Sequence, residues 1–249
     1  MKWSKIKSIM VYFLLAINIF MLIFIAFDSH QKTVIPEDVI DSAFKVLTDS
    51  GFRYEKSDFP DSYCYISPLD VSFYSASDLS DLFFGKQVPF RTQDNSLVAT
   101  HEGAQLTVYS NYFTYTTKND ISYTSPKKLE STLNSLGIDT EGIVYDEKND
   151  CFFKMYKNAN LFNMYIKINL DSNGEICQMA AQWPKKITPK ERLKVSFIHS
   201  IIKLKEAFPS GGNIEKIELG YSLQPLGGEK YKFAPVWRVC VDGELKILD

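Results

Sequence analysis

Residues able to do chemistry are few in this chain and poorly grouped. Its three histidines are His30, His101 and His199. A histidine acting as general base needs a nucleophile or carboxylate within hydrogen-bond reach. No H-E-x-x-H, G-x-S-x-G or Walker-type pattern supplies such a partner, and His199, beside an apolar stripe, reads as a partly buried structural residue. The acidic residues are scattered, so no pair stands out as an acid/base dyad. Gly211-Gly212 and Gly227-Gly228 lack the Lys-Ser/Thr that follows a phosphate loop and read as turns. Cys64, Cys151, Cys177 and Cys240 lack the close pairs a zinc site uses. Cys151 and Cys177 alternate in phase with apolar neighbours, which fits either a Cys151–Cys177 disulfide or two buried core thiols. No catalytic residue, cofactor site or metal site is expected.

The elements that would position any site begin with an apolar run. From 9 to 27 the chain reads IMVYFLLAINIFMLIFIAF, without a charge. At the helical rise this covers about 28 Å, close to the roughly 30 Å hydrocarbon core of a bilayer. The run exceeds the usual apolar region of a signal peptide, and no small-x-small cleavage site follows it. Lys2, Lys5 and Lys7 precede it, whereas Asp28, Glu37 and Asp38 follow. Basic flanks stay cytoplasmic, which predicts a retained single-pass anchor in the cell membrane with everything after it extracytoplasmic. The expected organisation is a cytoplasmic tail 1–8, a transmembrane helix 9–27, and two extracytoplasmic α+β subdomains, 28–125 and 126–249. Asn18 lies at mid-span, either tolerated there or bonding to a neighbouring helix.

Of the 249 residues, 45% are hydrophobic and 14% aromatic, ample for a core and far from a disordered composition. With the three N-terminal lysines set aside, the rest of the chain is acidic, which excludes the basic excess of a nucleic-acid binder. Three helices have start signals. One opens at Pro36, with Glu37 and Asp38 suited to its positive end and Gly51 as its stop. A second opens at Ser125-Pro126 and ends at Gly137. A third is predicted from Thr188-Pro189-Lys190-Glu191, a capping box, to about Phe208. Alternating strands fill the intervals, near 63–74, 97–101, 106–116, 143–147, 151–157, 164–170, 219–224, 231–241 and 244–248. Asp171-Ser172-Asn173-Gly174 joins 164–170 to a strand whose apolar face is Cys177, Met179, Ala181 and Trp183. One-faced alternation in meanders predicts antiparallel sheets with helices packed on one face, an α+β fold.

The opening Trp3-Ser4-Lys5-Ile6-Lys7, running into the span with Asn18-Ile19-Phe20 at its core, resembles the YycI family. The segment from Tyr231 to Val239, with Pro235-Val236-Trp237-Arg238, resembles the closing strand of YycI and the related YycH proteins. The resemblance implies a regulator without catalysis. Its implied partners are a YycH-like protein and a membrane sensor histidine kinase (YycG, also called WalK) that controls cell-wall genes. Homo- or heterodimerisation is within that expectation. Carried over by motif, Trp3, Ser4, Lys5, Asn18, Ile19 and Phe20 are the residues implied in membrane-level partner contact, while Trp237 and Arg238 read as structural. The rival class is an extracytoplasmic ligand-binding or inhibitory module, resembling PepSY domains, that acts on a peptide, a peptidase or a wall component.

Overall fold

The computed structural model describes residues 12–22, 34–122, 125–147, 149–228 and 230–248. It is a mixed α+β protein whose residues fall into two compact units, each assembled from separate stretches of chain. The first comprises 1–66, 194–215 and 241–244, and the second 67–193, 216–240 and 245–249. The expected division at 125/126 falls inside the second unit. Helix α1 covers 12–22 and exposes apolar side chains all round, among them Phe13, Phe20 and Leu22. Among the described residues, no helix is both long and apolar enough to cross a membrane. The rest of the run 9–27 and Trp3, Ser4 and Lys5 lie outside the described residues.

In the first unit, α2 (Glu37–Asp49) starts directly after Pro36, one residue later than the sequence reading. It buries Ile40, Ala43 and Leu47. Phe44 meets Phe59 edge-on, and Phe59 meets Phe197. Strand β1 (Phe52–Arg53) runs parallel to the start of β14 (Gly212–Gly227). That pairing needs Gly211. Its φ of +72° is costly for an L side chain, and a Cβ there would overlap the backbone of Gly51.

The predicted helix from Thr188 is wrong in its first half. Residues Pro184–Pro189 form strand β12, paired antiparallel with β3 (Leu69–Phe73). The helix starts only after Ser196, whose hydroxyl accepts from Ile198 N. A single 3₁₀ turn, Phe197–Ser200, leads into α5 (Ile201–Ala207). The Thr-Pro-Lys-Glu signal is genuine local chemistry that a neighbouring sheet edge overrides, because pairing satisfies the same backbone groups.

The second unit is dominated by one large, mostly antiparallel sheet. Along it lie β12, β3, β15 (Lys230–Val241), β14, β10 (Ala159–Leu170), β11 (Glu175–Gln182), β7 (Phe113–Ser122), β6 (Ala104–Val108), β5 (Ser96–His101) and β4 (Arg91–Gln93). Strands β8 (Ile143–Asp146) and β9 (Cys151–Tyr156) extend it beside β10. Two helices share one core with this sheet. Leu79 of α3 (Ala76–Phe84) and Leu129 and Leu133 of α4 (Pro126–Ser135) pack with Leu106, Phe152, Ile166, Ile168, Met179 and Trp183. Helix α4 begins as predicted, with Ser125 accepting from Lys128 N and Pro126 in the first turn. Helix α3 escaped the sequence reading, although Ser75 and Asp78 form a complete capping box.

The β10–β11 hairpin forms as predicted. Its turn is fastened by Asp171, whose Oδ1 accepts from Asn173 N and Glu175 N. The apolar face of β11 differs at one position. A register shift between Ile176 and Gln178 puts Ile176, not Cys177, in the core with Met179 and Ala181. The extra residue of a bulge reverses the alternation on one side of it.

Candidate functional site

The second unit holds a groove of about 900 Å³ on the face of β9 and β10 turned away from the shared core. Alternation builds its floor. Phe152 and Ile166 point into the core, so Cys151, Phe153, Tyr165 and Lys167 face the groove. Pairing places Asp146, Cys151 and Lys167 in one cross-strand row, and Val144, Phe153 and Tyr165 in the next.

Beyond these rows β10 departs from regular pairing. Its register to β9 shifts between Asn160 and Tyr165, and Asn163 adopts a left-handed φ of +74°. The bulge lets β10 pair parallel with β14 through Asn160↔Gly220 and Leu161↔Tyr221. Gly220 is required here by space. A Cβ would run into the Phe162 ring and lie 2.7 Å from Asn160 O. The Arg238 guanidinium in turn lies over the Phe162 ring, 4.2 Å from its centroid.

Glu218 ties this wall together. Its Oε2 receives Arg238 Nη2 at 2.8 Å and Lys216 Nζ at 3.1 Å, while Asn160 Nδ2 donates to its Oε1. Burial opposes ionisation of Glu218, but the bonds from Arg238, Lys216 and Asn160 outweigh it and hold the carboxyl below its ordinary range. A depressed folded value contributes stability that is fully present above the ordinary pKa of 4.5 and is lost as pH falls through the lower folded value. The thermal midpoint of wild type should therefore converge on that of Glu218→Gln as the pH drops below about 4.5. Parallel melting curves for the two proteins across that range would refute this role. Nearby, Tyr221 donates its hydroxyl to Ser67 O at 3.0 Å, and burial with Tyr156 alongside pushes its pKa up to about 12. It stays a neutral donor at every physiological pH.

The cysteine readings need correction. Cys64, Cys151 and Cys177 carry free thiols, and all four cysteines are half-buried. Cys151 on β9 and Cys177 on β11 are separated by β10. Two strand spacings are about 9.5 Å, beyond the Cα separation of about 7 Å that a disulfide tolerates. Neither is a core thiol: Cys151 faces the groove, and Cys177 sits at the bulge, donating to Asn169 O. Burial and the Asp146 carboxylate push the Cys151 thiol up, so it is a poor nucleophile.

Of the other sequence-derived residues, Asn18, Ile19 and Phe20 lie on α1, and Asn18 donates its amide to Leu14 O at 2.9 Å in its own helix. Trp237 is buried in β15, as its structural reading requires. Arg238 is different. It projects into the groove wall, a role that nothing local in Pro235-Val236-Trp237-Arg238 discloses. No group of three or more potential metal ligands occurs among the described residues.

Comparison with known proteins gives this geometry its context. The YycI protein family model matches residues 71–247, which includes all of the groove-lining residues. The chain belongs to the YycI family. Two solved structures show a distant similarity to it. An uncharacterized protein from Eubacterium rectale is 12% identical with a TM-score of 0.42, over 76% of this chain and 83% of its own. YycH from Bacillus subtilis is 13% identical with a TM-score of 0.40, over 78% of this chain and 58% of its own. The chain thus spans a little over half of that YycH chain. No curated protein sequence matches it. The YycI match takes in Trp237 and Arg238, so this part of the sequence resemblance falls within the matched region.

Proposed function

We propose that this YycI-family protein is a membrane-anchored, non-enzymatic accessory regulator. In this reading it binds a sensor histidine kinase of the YycG/WalK type and a YycH-like partner, and so adjusts two-component control of the cell wall. The family match over residues 71–247 carries the reading. The apolar run 9–27, with lysines on its N-terminal side, supports an anchor whose large C-terminal part is extracytoplasmic. Helix α1 adds to this by presenting apolar side chains on every face, which suits a helix solvated by lipid and other helices rather than by water.

Membrane-level contact is assigned to the segment holding Asn18, Ile19 and Phe20, preceded by Trp3, Ser4 and Lys5. An amide carries two N–H donors and one acceptor. The bond to Leu14 O uses one donor, which lowers the cost of Asn18 in hydrocarbon without using its carbonyl. Interhelical bonds of this kind are worth about 0.6–2 kcal/mol, and the internal bond places Asn18 toward the low end. Crosslinking in membranes against the co-produced kinase tests the assignment. Exchanging residues 9–27 for a poly-Leu anchor should abolish most of the crosslink, and Asn18→Leu should weaken association about threefold. Undiminished crosslinking of both variants would move the contact out of the membrane and overturn the assignment.

A further inference from the structure

We propose that the groove on the outer face of β9 and β10 binds a small anion carried on a flat apolar body, such as an aryl carboxylate or aryl phosphate. Nothing in the family match assigns a ligand to this chain, and the inference does not depend on the kinase reading.

Its volume, about 900 Å³, lies within the range of small-molecule sites. The apolar floor comes from Phe153 and Tyr165, adjacent in one cross-strand row, with Phe162 beyond them. Aromatic side chains arranged this way favour a planar body by offset or edge-on packing. Three cations line the groove: Lys167, Lys216 and Arg238. Glu218 carries a single negative charge between the two cations Lys216 and Arg238 and so offsets only one of them. That end of the groove therefore stays positive. Acidic groups are also present. Asp146 and Glu147 lie on the β8 side, where Asp146 accepts from the Asn149 backbone N–H and side-chain amide and keeps its charge in the row of Lys167, so the positive end is the one at Lys216 and Arg238.

The most pointed observation is an unmet donor, Arg238 Nε, since the second unmet group is an acceptor and gains nothing from an anion. Arg238 Nε and Asn160 Oδ1 are buried without a partner, although both residues belong to the groove wall. Such atoms ordinarily find partners, and leaving one unpaired costs about 1–3 kcal/mol. Arg238 has one N–H engaged by Glu218 and its plane fixed against Phe162, which Gly220 supports from below. A guanidinium held flat with part of its fork unspent is the arrangement that reads a carboxylate or phosphate oxygen pair. The unpartnered Nε–H would gain its acceptor from such an anion, with Lys216 and Lys167 adding charge from the flanks.

Fluorine NMR of the full chain in zwitterionic-lipid nanodiscs tests this, with empty nanodiscs to subtract partitioning. The probes are 4-fluorobenzoate, 4-fluorophenyl phosphate and neutral 4-fluorobenzamide. At least one anionic probe should bind saturably with Kd below about 1 mM, and the amide should bind about tenfold more weakly or less. The tighter of the two anionic probes identifies the headgroup. Arg238→Lys keeps the charge but loses the planar fork, and should weaken the anion about tenfold. Lys167→Gln, at an exposed position, should weaken it about threefold. If Arg238→Lys fails to fold, Lys167→Gln and the amide comparison decide the matter. Equal affinity for the amide, unchanged affinity in the folded variants, or no saturable binding up to about 10 mM would each overturn the proposal.

Discussion

Replacing Trp183 with alanine is expected to destabilise the second unit by about 3–5 kcal/mol, the usual cost of emptying a large buried aromatic site. Trp183 is 1% exposed and sits in the core that α3 and α4 share with the sheet. Its indole N–H donates to Asp139 O at 2.8 Å, which fastens the segment between α4 and β8 to the end of β11. Alanine removes both the packing and the bond. Trp183→Phe keeps most of the buried area and loses chiefly the bond, so it should cost about 1–2 kcal/mol. Chemical denaturation of the full chain in detergent, followed by circular dichroism, measures both. An alanine variant within about 1 kcal/mol of wild type would show that the core closes over the site without the indole.

Loss of Lys154 is the second large effect. Lys154 points into the same interior and is 2% exposed. Its ammonium reaches Asp139 Oδ2 at 2.9 Å, Glu141 O at 2.8 Å and Asp139 O at 3.3 Å, and lies 5.0 Å from the Trp183 ring centroid. A buried ammonium persists only when its donors are spent in this manner. Lys154→Ala should cost about 2–4 kcal/mol, short of the upper range for broken buried pairs because the orphaned Asp139 carboxylate is half exposed. Lys154→Met fills the space of the aliphatic stem and should be milder, by about 1 kcal/mol. Trp183 and Lys154 both donate to Asp139 O, so the double variant should lose less than the sum of the singles. Strict additivity would mean that the two side chains stabilise separate features.

These two residues also mark how far the sequence could be read. Helices α2 and α4 were legible because their signals are local: Pro36 with two acids behind it, and Ser125-Pro126 ahead of spaced leucines. The β10–β11 hairpin was legible for the same reason, since Asp171 and Gly174 form its turn without help from elsewhere. Helix α3 carried an equally local signal in Ser75 and Asp78, and it was missed inside a stretch read as strand and loop. The false start at Thr188 shows the opposite case, where a sound capping box lost to pairing with β3, distant in sequence.

The groove was beyond such reading. Lys154 stands in an otherwise apolar run, and only the Asp139–Glu141 segment, brought close by the β8–β9 pairing, explains an inward lysine. Resemblance singles out Arg238 but reads it as structural. Its place in the groove depends on Gly220 and on the bulge of β10, and neither leaves a periodic trace. Asn163, with its positive φ inside a strand, is the one local hint of that bulge, and asparagine is the side chain that tolerates such a conformation best after glycine.

The interleaving of the two units along the chain has a consequence for biosynthesis. The first unit takes in the chain's opening 66 residues together with 194–215 and 241–244. A ribosome that has delivered residues 34–66 has supplied only part of what that unit packs with, and its remaining contributions come only with 194–215 and 241–244. Helix α2 must therefore wait, with an apolar face that has no complete home, until residue 244 has emerged. Closing a loop of that length is slow compared with forming a local hairpin. Residues 34–66 thus depend for their packing on residues made long after them.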